Sequence, residues 1–410
     1  MQELVSRLKR QNGTKLVLCV LDGLGGLPAD GSGGRTELEA ARTPNLDALA
    51  SKAALGLHVP VAPGITPGSG AAHLGLFGYD PLSHEIGRGV LEALGLGLDV
   101  SRRDIMIRGN FCTVSYEGGV PVVVDRRAGR IPTEENARIT AMLAEALGEI
   151  GGVKIKLVPG VEHRFVLVLT FPEDLPEGAD RVSDTDPQRE GTAPLDPVAA
   201  DERAVHTAQV LREFVERATR LLRGEPRANY LLLRGVSAYP RLAGFAEVYG
   251  LRAAAVAAYP MYRGVAKLVG MEVLQVDGEA VVDEIEVLES EFGRFDFFYL
   301  HVKKTDSHGE DGNFDAKVRV IEEFDALLPR IEALGPDVLV VTGDHSTPSA
   351  MRSHSWHPVP VLLSSPFTRW SGEGGFGERR CLSGELGTIR AHEILPLMMA
   401  HAGRLQKFGA

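Results

Sequence analysis

The sequence predicts an α/β protein: a parallel-rich sheet flanked by helices, made from the two ends of the chain, with an inserted α+β domain. Three observations carry this expectation. Short apolar runs at 16–21 (LVLCVL), 295–302 (FDFFYLHV) and 338–341 (VLVV) have the length and β-branched or aromatic content of buried parallel strands. Helical patterns alternate with them. The middle of the chain reads instead as hairpins around a helix.

In chain order, the charged start MQELVSRLKRQNGTK suggests a helical turn or two before the first strand at 16–21. Thr43-Pro44 then opens a helix, with threonine as N-cap, proline at the first helical position and Leu46, Leu49 and Ala53 as the apolar stripe. Segments 105–116 and 120–124, joined by Glu117-Gly118-Gly119, form one expected hairpin. Segments 154–158 and 164–171, around Pro159-Gly160, form a second, and 133–150 between them has helical character. The Pro- and Asp-rich stretch 171–197 is too long for a connector, and reads as a lid, a binding loop or a disordered segment. After the strand at 295–302, Val318, Ile321, Phe324, Leu328 and Ile331 mark a helix that Pro329 should kink or shorten. The expected boundaries are 1–85 and 258–410 for the first domain and 86–257 for the insertion.

The 410 residues include 55 acidic and 44 basic ones, a net charge of −11, which disfavours a nucleic-acid partner. A hydrophobic share of 44% suits sizeable cores, and the length suits two domains or one with a large insertion. No run approaches the roughly 18 apolar residues of a membrane helix, so no membrane association is expected. The start lacks the apolar core and cleavage site of a signal peptide. Cys19, Cys112 and Cys381 are odd in number and far apart, as expected of buried thiols in a reducing, cytoplasmic setting. Assembly into a homo-oligomer is left open.

Each of the three strand-like runs is followed by an aspartate: Asp22, Asp306 and Asp344. Residues just past the carboxyl ends of parallel strands gather at one edge of the sheet, where open α/β folds bind ligands. His345 follows Asp344 directly, His354 lies nine residues on in HSWHPVP, and His308 and Glu310 lie beside Asp306 in TDSHGED. Carboxylates with imidazoles suit Mn²⁺, Zn²⁺ or Fe²⁺ better than Ca²⁺, and their number exceeds what one ion needs, so a binuclear site is the economical reading. Taken singly, each aspartate is an ordinary turn cap and each histidine an ordinary core or surface residue.

Ser69 sits between glycines in TPGSGAAHLGL, before an apolar run, which places its hydroxyl at a helix N-terminus. A simple N-cap serine has the same local pattern. Gly23-Leu24-Gly25-Gly26 follows a strand but is not GxGxxG, and no GxxxxGKS loop occurs, so a nicotinamide or P-loop enzyme is disfavoured. The insertion carries Arg108 and Asn110 in IRGNF, Arg126, Arg127 and Arg130 in DRRAGR, Arg164 in EHR and Arg234 in LLLRG; Arg88 precedes them and Lys267 follows. Such a set can hold a small phosphorylated acid, although each guanidinium alone reads as an ordinary surface or ion-paired group. Asp184 and Asp186 in SDTDP are substrate contacts or Asx-turn residues, with the turn favoured for Asp186.

Taken together, DGLGG, RTELEAARTPNLDALA, PGSGAAHLGLFGYDP, GRGVLEA, RGNF, DRRAGR, EHR, SDTDP, LLLRG, KKTD, VTGDHSTP and HSWHPVP, in that order, resemble the archaeal-type 2,3-bisphosphoglycerate-independent phosphoglycerate mutases of the alkaline phosphatase superfamily. The resemblance covers residues from about 15 to 400. It implies an alkaline-phosphatase-like fold and interconversion of 2- and 3-phosphoglycerate in glycolysis and gluconeogenesis. It also implies two divalent ions, Mn²⁺ before Zn²⁺, Co²⁺ or Mg²⁺, a phosphoserine intermediate, and no 2,3-bisphosphoglycerate. Ser69 would be the phosphorylated residue and would share one ion with Asp22, Asp344 and His345. Asp306 and His354 would hold the other ion with a residue of SHGED. Here the chain departs from the commoner pattern: Glu310 stands where a histidine is usual, and His308 lies two residues earlier. Glu310 is the preferred ligand and His308 its rival; His357 would lie behind the ligands. Arg108 and Asp125 would act in catalysis, Asp125 by assisting proton transfer unless it is tied up in a salt bridge to Arg126 or Arg127. Domain closure, with hinges near 85–88 and 257–262, would exclude water. The rival functions are a metal-dependent phosphomonoesterase or another phosphomutase on the same scaffold, and a non-catalytic metal- or metabolite-binding relative.

Overall fold

The computed structural model describes residues 1–29, 31–369 and 374–409. Among the described residues fourteen strands follow in chain order: β1 (Leu16–Leu21), β2 (Ala54–Val59), β3 (Asp104–Glu117), β4 (Val120–Asp125), β5 (Glu149–Ile150), β6 (Val153–Pro159), β7 (Arg164–Thr170), β8 (Tyr230–Ala238), β9 (Ala253–Ala257), β10 (Glu272–Leu274), β11 (Phe297–Val302), β12 (Val338–Thr342), β13 (Val359–Ser364) and β14 (Gly387–Arg390). They divide between two units, Met1–Glu85 with Leu242–Ala410, and Ile86–Arg241.

The first unit is an eight-stranded sheet in the order β10-β9-β11-β1-β12-β13-β2-β14. The three strand-like runs of the sequence become its centre: β1 lies parallel between β11 and β12, with Leu16 opposite both Phe297 and Val338. All three are buried along their whole length, which explains why they read as continuous apolar runs rather than alternating ones. Only β13 runs antiparallel to its neighbours β12 and β2. Helices cover the sheet, and one core joins Val17, Cys19, Leu46, Leu49, Phe298, Leu300, Ile321 and Phe324. All three cysteines are buried and unpaired.

Ala253–Ala257 is a strand of this sheet, parallel to β11, so the chain returns to the first unit at 241/242 rather than at the expected 257/258. The run Ala-Ala-Ala-Val-Ala is a buried strand whose small side chains give little apolar signal. Residues 257–262 lie wholly within this unit, so the second of the expected hinges is not at the crossing.

Two local expectations fail for identifiable reasons. The helix Phe314–Ala333 runs through Pro329 for 20 residues. A proline leaves the carbonyl four residues back without its donor, and here that carbonyl, on Asp325, accepts a hydrogen bond from Asn45 Nδ2 at 3.0 Å. The Asp325 carboxylate in turn accepts from the backbone N–H of Leu46 at 2.7 Å, at the start of the helix Pro44–Ala50. Thr43 does precede that helix, but its hydroxyl donates to Asp47 rather than accepting a backbone N–H.

The second unit has the sheet order β4-β3-β7-β6-β5, with β8 pairing β3. Both expected hairpins are present as β3–β4 and β6–β7. The helix expected over 133–150 stops at Ala146, because Glu149 and Ile150 pair with Lys154 and Val153 around Gly151-Gly152. Both glycines have positive φ, 57° and 80°, as a two-residue turn of this kind requires. Residues 171–197 form neither helix nor strand but are tied down: Thr185 N donates to Leu233 O, and Val123 N to Thr192 O, each at 2.9 Å.

Glu284, in the helix Val281–Glu291, is 3% exposed and meets one backbone donor, Ala258 N, at 3.3 Å. Burial pushes its carboxyl up to about 8, with Asp283 adding to the rise and the Ala258 N–H opposing it. A folded-state value above the unfolded one means that the proton stabilises the fold: the contribution is complete below about pH 4.5 and is lost as pH rises through about 8. Urea denaturation at pH 5 and pH 9 should show Glu284→Gln gaining about 2 kcal/mol or more over the parent at the higher pH. Equal differences at both pH values would contradict this.

Candidate active site

Because β1, β11 and β12 run parallel and in step, the residues that follow them arrive at one level of one sheet edge. Asp22 is the first residue past β1, Asp306 lies in the first turn of the helix Lys304–Glu310, and Asp344 is two residues past β12. His345 Nε2 stands 3.2 Å from Asp344 Oδ2, 3.4 Å from Asp22 Oδ1 and 3.4 Å from Ser69 Oγ. Ser69 is the first residue of the helix Ser69–Leu76, after Gly68, and is partly exposed while the acids are buried. His354 Nε2 lies 3.5 Å from Asp306 Oδ1 and 3.7 Å from Glu310 Oε1, and its ring stacks on His345 at 3.7 Å. Antiparallel β13 makes this stack: the chain folds back, with Ser355 N bonded to Ser346 O, and carries His354 over His345.

Among the described residues, two groups have ligand atoms all within 4.8 Å of one another, Asp22–Asp344–His345 and Asp306–His345–His354. His345 belongs to both. Glu310 borders the second group from a largely exposed position, whereas His308 is half-buried and its carbonyl accepts the backbone N–H of Asn313. His357 bonds through Nδ1 to Ser355 Oγ, one step away from these groups.

Further residues that the sequence reading did not single out complete the cluster. Lys303 Nζ bridges Asp22 Oδ2 at 3.0 Å and Asp306 Oδ2 at 2.6 Å. The Tyr262 hydroxyl donates to Asp22, and Thr305 Oγ1 to the Asp22 carbonyl. His73, fully buried, places Nδ1 2.9 Å from the Ser69 carbonyl and 3.2 Å from Asp344 Oδ2. Thr347 Oγ1 donates to Asp306 Oδ1 at 2.7 Å and lies 2.9 Å from His345 Nδ1, orienting that ring. Only Lys303 carried a usable signal, as a cation directly after a strand and three residues before an acid.

The electrostatics favour a cation. Burial opposes ionisation of Asp344, but His345, His73 and the Gly23 N–H outweigh it and hold the carboxyl well below the usual range. Asp22 is likewise held low: burial and Asp344 raise it, and His301 and Lys303 more than offset them. Among the described residues Asp22 Oδ1 and Asp344 Oδ2 are nevertheless buried without a well-formed hydrogen bond, with only the imidazoles of His345 and His73 nearby, at 3.2–3.4 Å. Carboxylate oxygens and imidazole nitrogens gathered this closely, two of the oxygens without a well-formed hydrogen bond, fit divalent ions of the Mn²⁺ or Zn²⁺ type. The glycines of DGLGG serve this packing: a Cβ on Gly23, at φ +63°, would fall 2.4 Å from Thr347 Oγ1, and one on Gly25 1.9 Å from Ser346 Oγ.

The second unit gathers the arginines. Across β7, β3 and β8, Arg108 is paired with Arg234 and Asn110 with Arg164, so the alternation of side chains puts all four on one face. The other face carries Ile105, Ile107, Phe165, Leu167, Leu231 and Leu233 into the core. Gly89, whose Cβ would fall 1.9 Å from Met106 O, lets the helix Arg88–Gly95 press on the sheet and sets Arg88 beside Gly235. Burial together with Arg164, Arg234 and Arg88 lowers the Arg108 guanidinium from its ordinary value, against Glu92. Arg126 makes a two-pronged pair with Asp186 at 2.9 and 2.6 Å, and Arg234 lies 3.7 Å from Asp184 and 3.6 Å from Asp186. Asp186 also accepts Gln188 N, the expected Asx turn, and Asp184 accepts Gly235 N. Asp125 pairs with neither neighbouring arginine; its two oxygens accept the backbone N–H groups of Arg127 and Gly129 and close the DRRAGR turn. Arg127 is exposed, Arg130 is exposed and 3.6 Å from Glu162, and Lys267 is exposed in the last turn of the helix Pro260–Leu268 in the first unit.

A family model described as 2,3-bisphosphoglycerate-independent phosphoglycerate mutase matches residues 50–228. A protein of Aquifex aeolicus, named "Probable 2,3-bisphosphoglycerate-independent phosphoglycerate mutase", is 55% identical over 408 residues, all of both chains. One of the same name from Thermus thermophilus is 52% identical, covering 99% of this chain and 98% of its own. Among solved structures, the cofactor-independent phosphoglycerate mutase of Thermoplasma acidophilum is similar at 32% identity and a TM-score of 0.76, over 95% of this chain and 100% of the other. A Pyrococcus horikoshii protein is similar at 33% identity and 0.77, over 98% and 100%.

Saturating Mn²⁺ should raise the melting temperature after chelation, by the equivalent of about 2.7 kcal/mol at a hundredfold excess over the dissociation constant. Asp344→Asn, which keeps the acceptor for Gly23 N and removes one buried charge, should lose this response and melt no lower than the parent without metal. A parent indifferent to Mn²⁺ would refute the cation site.

Proposed function

Since the chain belongs to the family of 2,3-bisphosphoglycerate-independent phosphoglycerate mutases, which are isomerases, we propose that it interconverts 2-phosphoglycerate and 3-phosphoglycerate through a phosphoserine at Ser69. The observation that carries this reading is the place of Ser69: a partly exposed hydroxyl on a helix N-terminus, 3.4 Å from a histidine common to both ligand groups. Asp22, Asp344, His345 and Ser69 would hold one divalent ion and Asp306, His354 and Glu310 the other, supplying Lewis acidity and offsetting charge on the attacking and leaving oxygens. Mn²⁺ is the preferred ion.

The chain's own residues account for the rest. Ser69 Oγ takes the phosphoryl group, and the first-turn amides of its helix favour the added negative charge. Tyr262 and Thr305 hold Asp22 in place, Thr347 holds His345 and Asp306, and Lys303 places a positive charge at the same spot. The glycerate set free is an anion, for which Arg108, Arg164, Arg234 and Arg88, with Asn110, form the matching face. Among the described residues Asn110 Oδ1 is buried without a hydrogen bond, leaving an acceptor for a hydroxy acid, and Arg234 Nε, 3.7 Å from Asp184, is a further buried donor. Arg126, Arg127 and Arg130 border this face, Asp184 orients Arg234, and Lys267 is the remaining candidate contact. Asp125, pinned by two amides and partly exposed, is the group assigned to proton transfer at the glycerate hydroxyls. The hydroxyl that did not carry the phosphoryl group then takes it from Ser69. No 2,3-bisphosphoglycerate is needed, and the cytoplasm, where glycolysis runs, is the expected place.

An enolase-coupled assay on 3-phosphoglycerate, without added bisphosphoglycerate, should show turnover that chelation abolishes, Mn²⁺ restores and Ser69→Ala removes. Phosphate release without isomerisation would favour a phosphomonoesterase. Arg108→Met should lower kcat/KM by about 10- to 100-fold, the cost of one charged hydrogen bond. Metal counts should fall from two ions to one in Glu310→Gln and stay at two in His308→Ala; the reverse would exchange their roles.

A further inference from the structure

Lys317 is fully buried in the helix Phe314–Ala333, and among the described residues no acid forms a close ion pair with it. Its ammonium donates instead to three backbone carbonyls, Gly23 O at 2.7 Å, Thr347 O at 2.9 Å and Gly25 O at 3.2 Å. Two of these lie in the loop after β1, which begins with Asp22, and the third in the loop after β12, which carries Asp344 and His345. The same carbonyls of Gly23 and Gly25 accept Thr347 N at 3.2 and 3.0 Å, so one amide and one ammonium staple the two loops together. Thr347 is also the residue whose hydroxyl reaches Asp306 and His345. The third ligand-bearing segment is fitted to the same point: a Cβ on Gly309 would fall 2.3 Å from Thr347 O.

A buried ammonium is costly unless its three protons are used, and here all three are. Burial lowers its affinity for the proton, opposed by Glu37 and Glu378. These two acids are themselves bonded into the same loops, Glu37 to Ser349 N at 2.8 Å and Glu378 to Gly26 N at 2.9 Å. The cluster lies behind the ligands.

We propose that Lys317 is a positioning residue for the metal centre: its ammonium fixes the spacing of the loops after β1 and β12, which makes His345 common to both ligand groups. The inference rests on the two-ion reading above. In Lys317→Met the three carbonyls lose their shared donor while the volume of the side chain is kept. Mn²⁺ affinity should fall by about 10- to 100-fold, as for other partners that orient ligands, and the electron paramagnetic resonance signal of a coupled Mn²⁺ pair should be replaced by that of separate ions. In metal-free protein, hydrogen exchange at Thr347 N should accelerate by about tenfold or more. Phe324→Leu, in the core of the same helix and away from the loops, is the control for general destabilisation and should keep the coupled signal. Parent affinity, coupling and Thr347 protection in Lys317→Met would overturn the proposal, as would equal losses in Phe324→Leu. If the methionine variant does not fold, Lys317→Gln, which retains a shorter donor, is read by the same measurements. A parent that binds fewer than two Mn²⁺ would overturn the two-ion reading, and the metal-free exchange experiment would still decide the role of Lys317.

Discussion

Like charges that cannot reach water govern this molecule. Asp22, Asp306 and Asp344 are each at most 2% exposed, and parallel neighbouring strands deliver them to one place. Their mutual repulsion would open the sheet edge unless positive charge stood among them. Lys303 supplies part of it, from within the cluster, and Asp22 Oδ1 and Asp344 Oδ2, which accept no well-formed hydrogen bond among the described residues, mark where more is needed. The hydroxyl of Tyr262, the ring of His73 and the glycines after β1 make sense as responses to that demand: they pack closely and donate where they can.

The second unit has the opposite polarity on the same principle. Its sheet buries one face in an apolar core and turns arginines outward on the other, with Asp184 and Asp186 as partial counterions. A guanidinium face only partly neutralised attracts anions, and a carboxylate cluster only partly neutralised attracts cations. The net charge of −11 hides this division, because it sums over both groups of residues.

The strand ends were legible in the sequence because buried parallel strands are uniformly apolar and stop abruptly at a polar residue, as LVLCVL stops at Asp22 and VLVV at Thr342 before Asp344. Ser69 at a helix start was legible from its flanking glycines. Contacts made across long stretches of chain were not. Tyr262 reaches Asp22 from 240 residues away, and nothing local distinguishes it from any core tyrosine. Pro329 misled because the bond it forfeits is replaced by Asn45, some 280 residues earlier. The boundary at 241/242 was missed because an alanine-rich strand carries little hydrophobic contrast. Local rules failed where a distant residue met the local cost.

The interruption of the first unit has a consequence for synthesis on the ribosome. The partners of β1 are β11 and β12, so the run LVLCVL emerges about two-thirds to three-quarters of a chain before the strands that cover it. The unit Ile86–Arg241 is contiguous and holds all its strand partners within itself, so it can complete its fold while β1 and β2 still wait. Such long-range parallel pairing is slow and leaves an apolar strand open to foreign pairing in the interval. The nascent chain thus faces its greatest hazard of aggregation between the exit of residue 21 and that of residue 342.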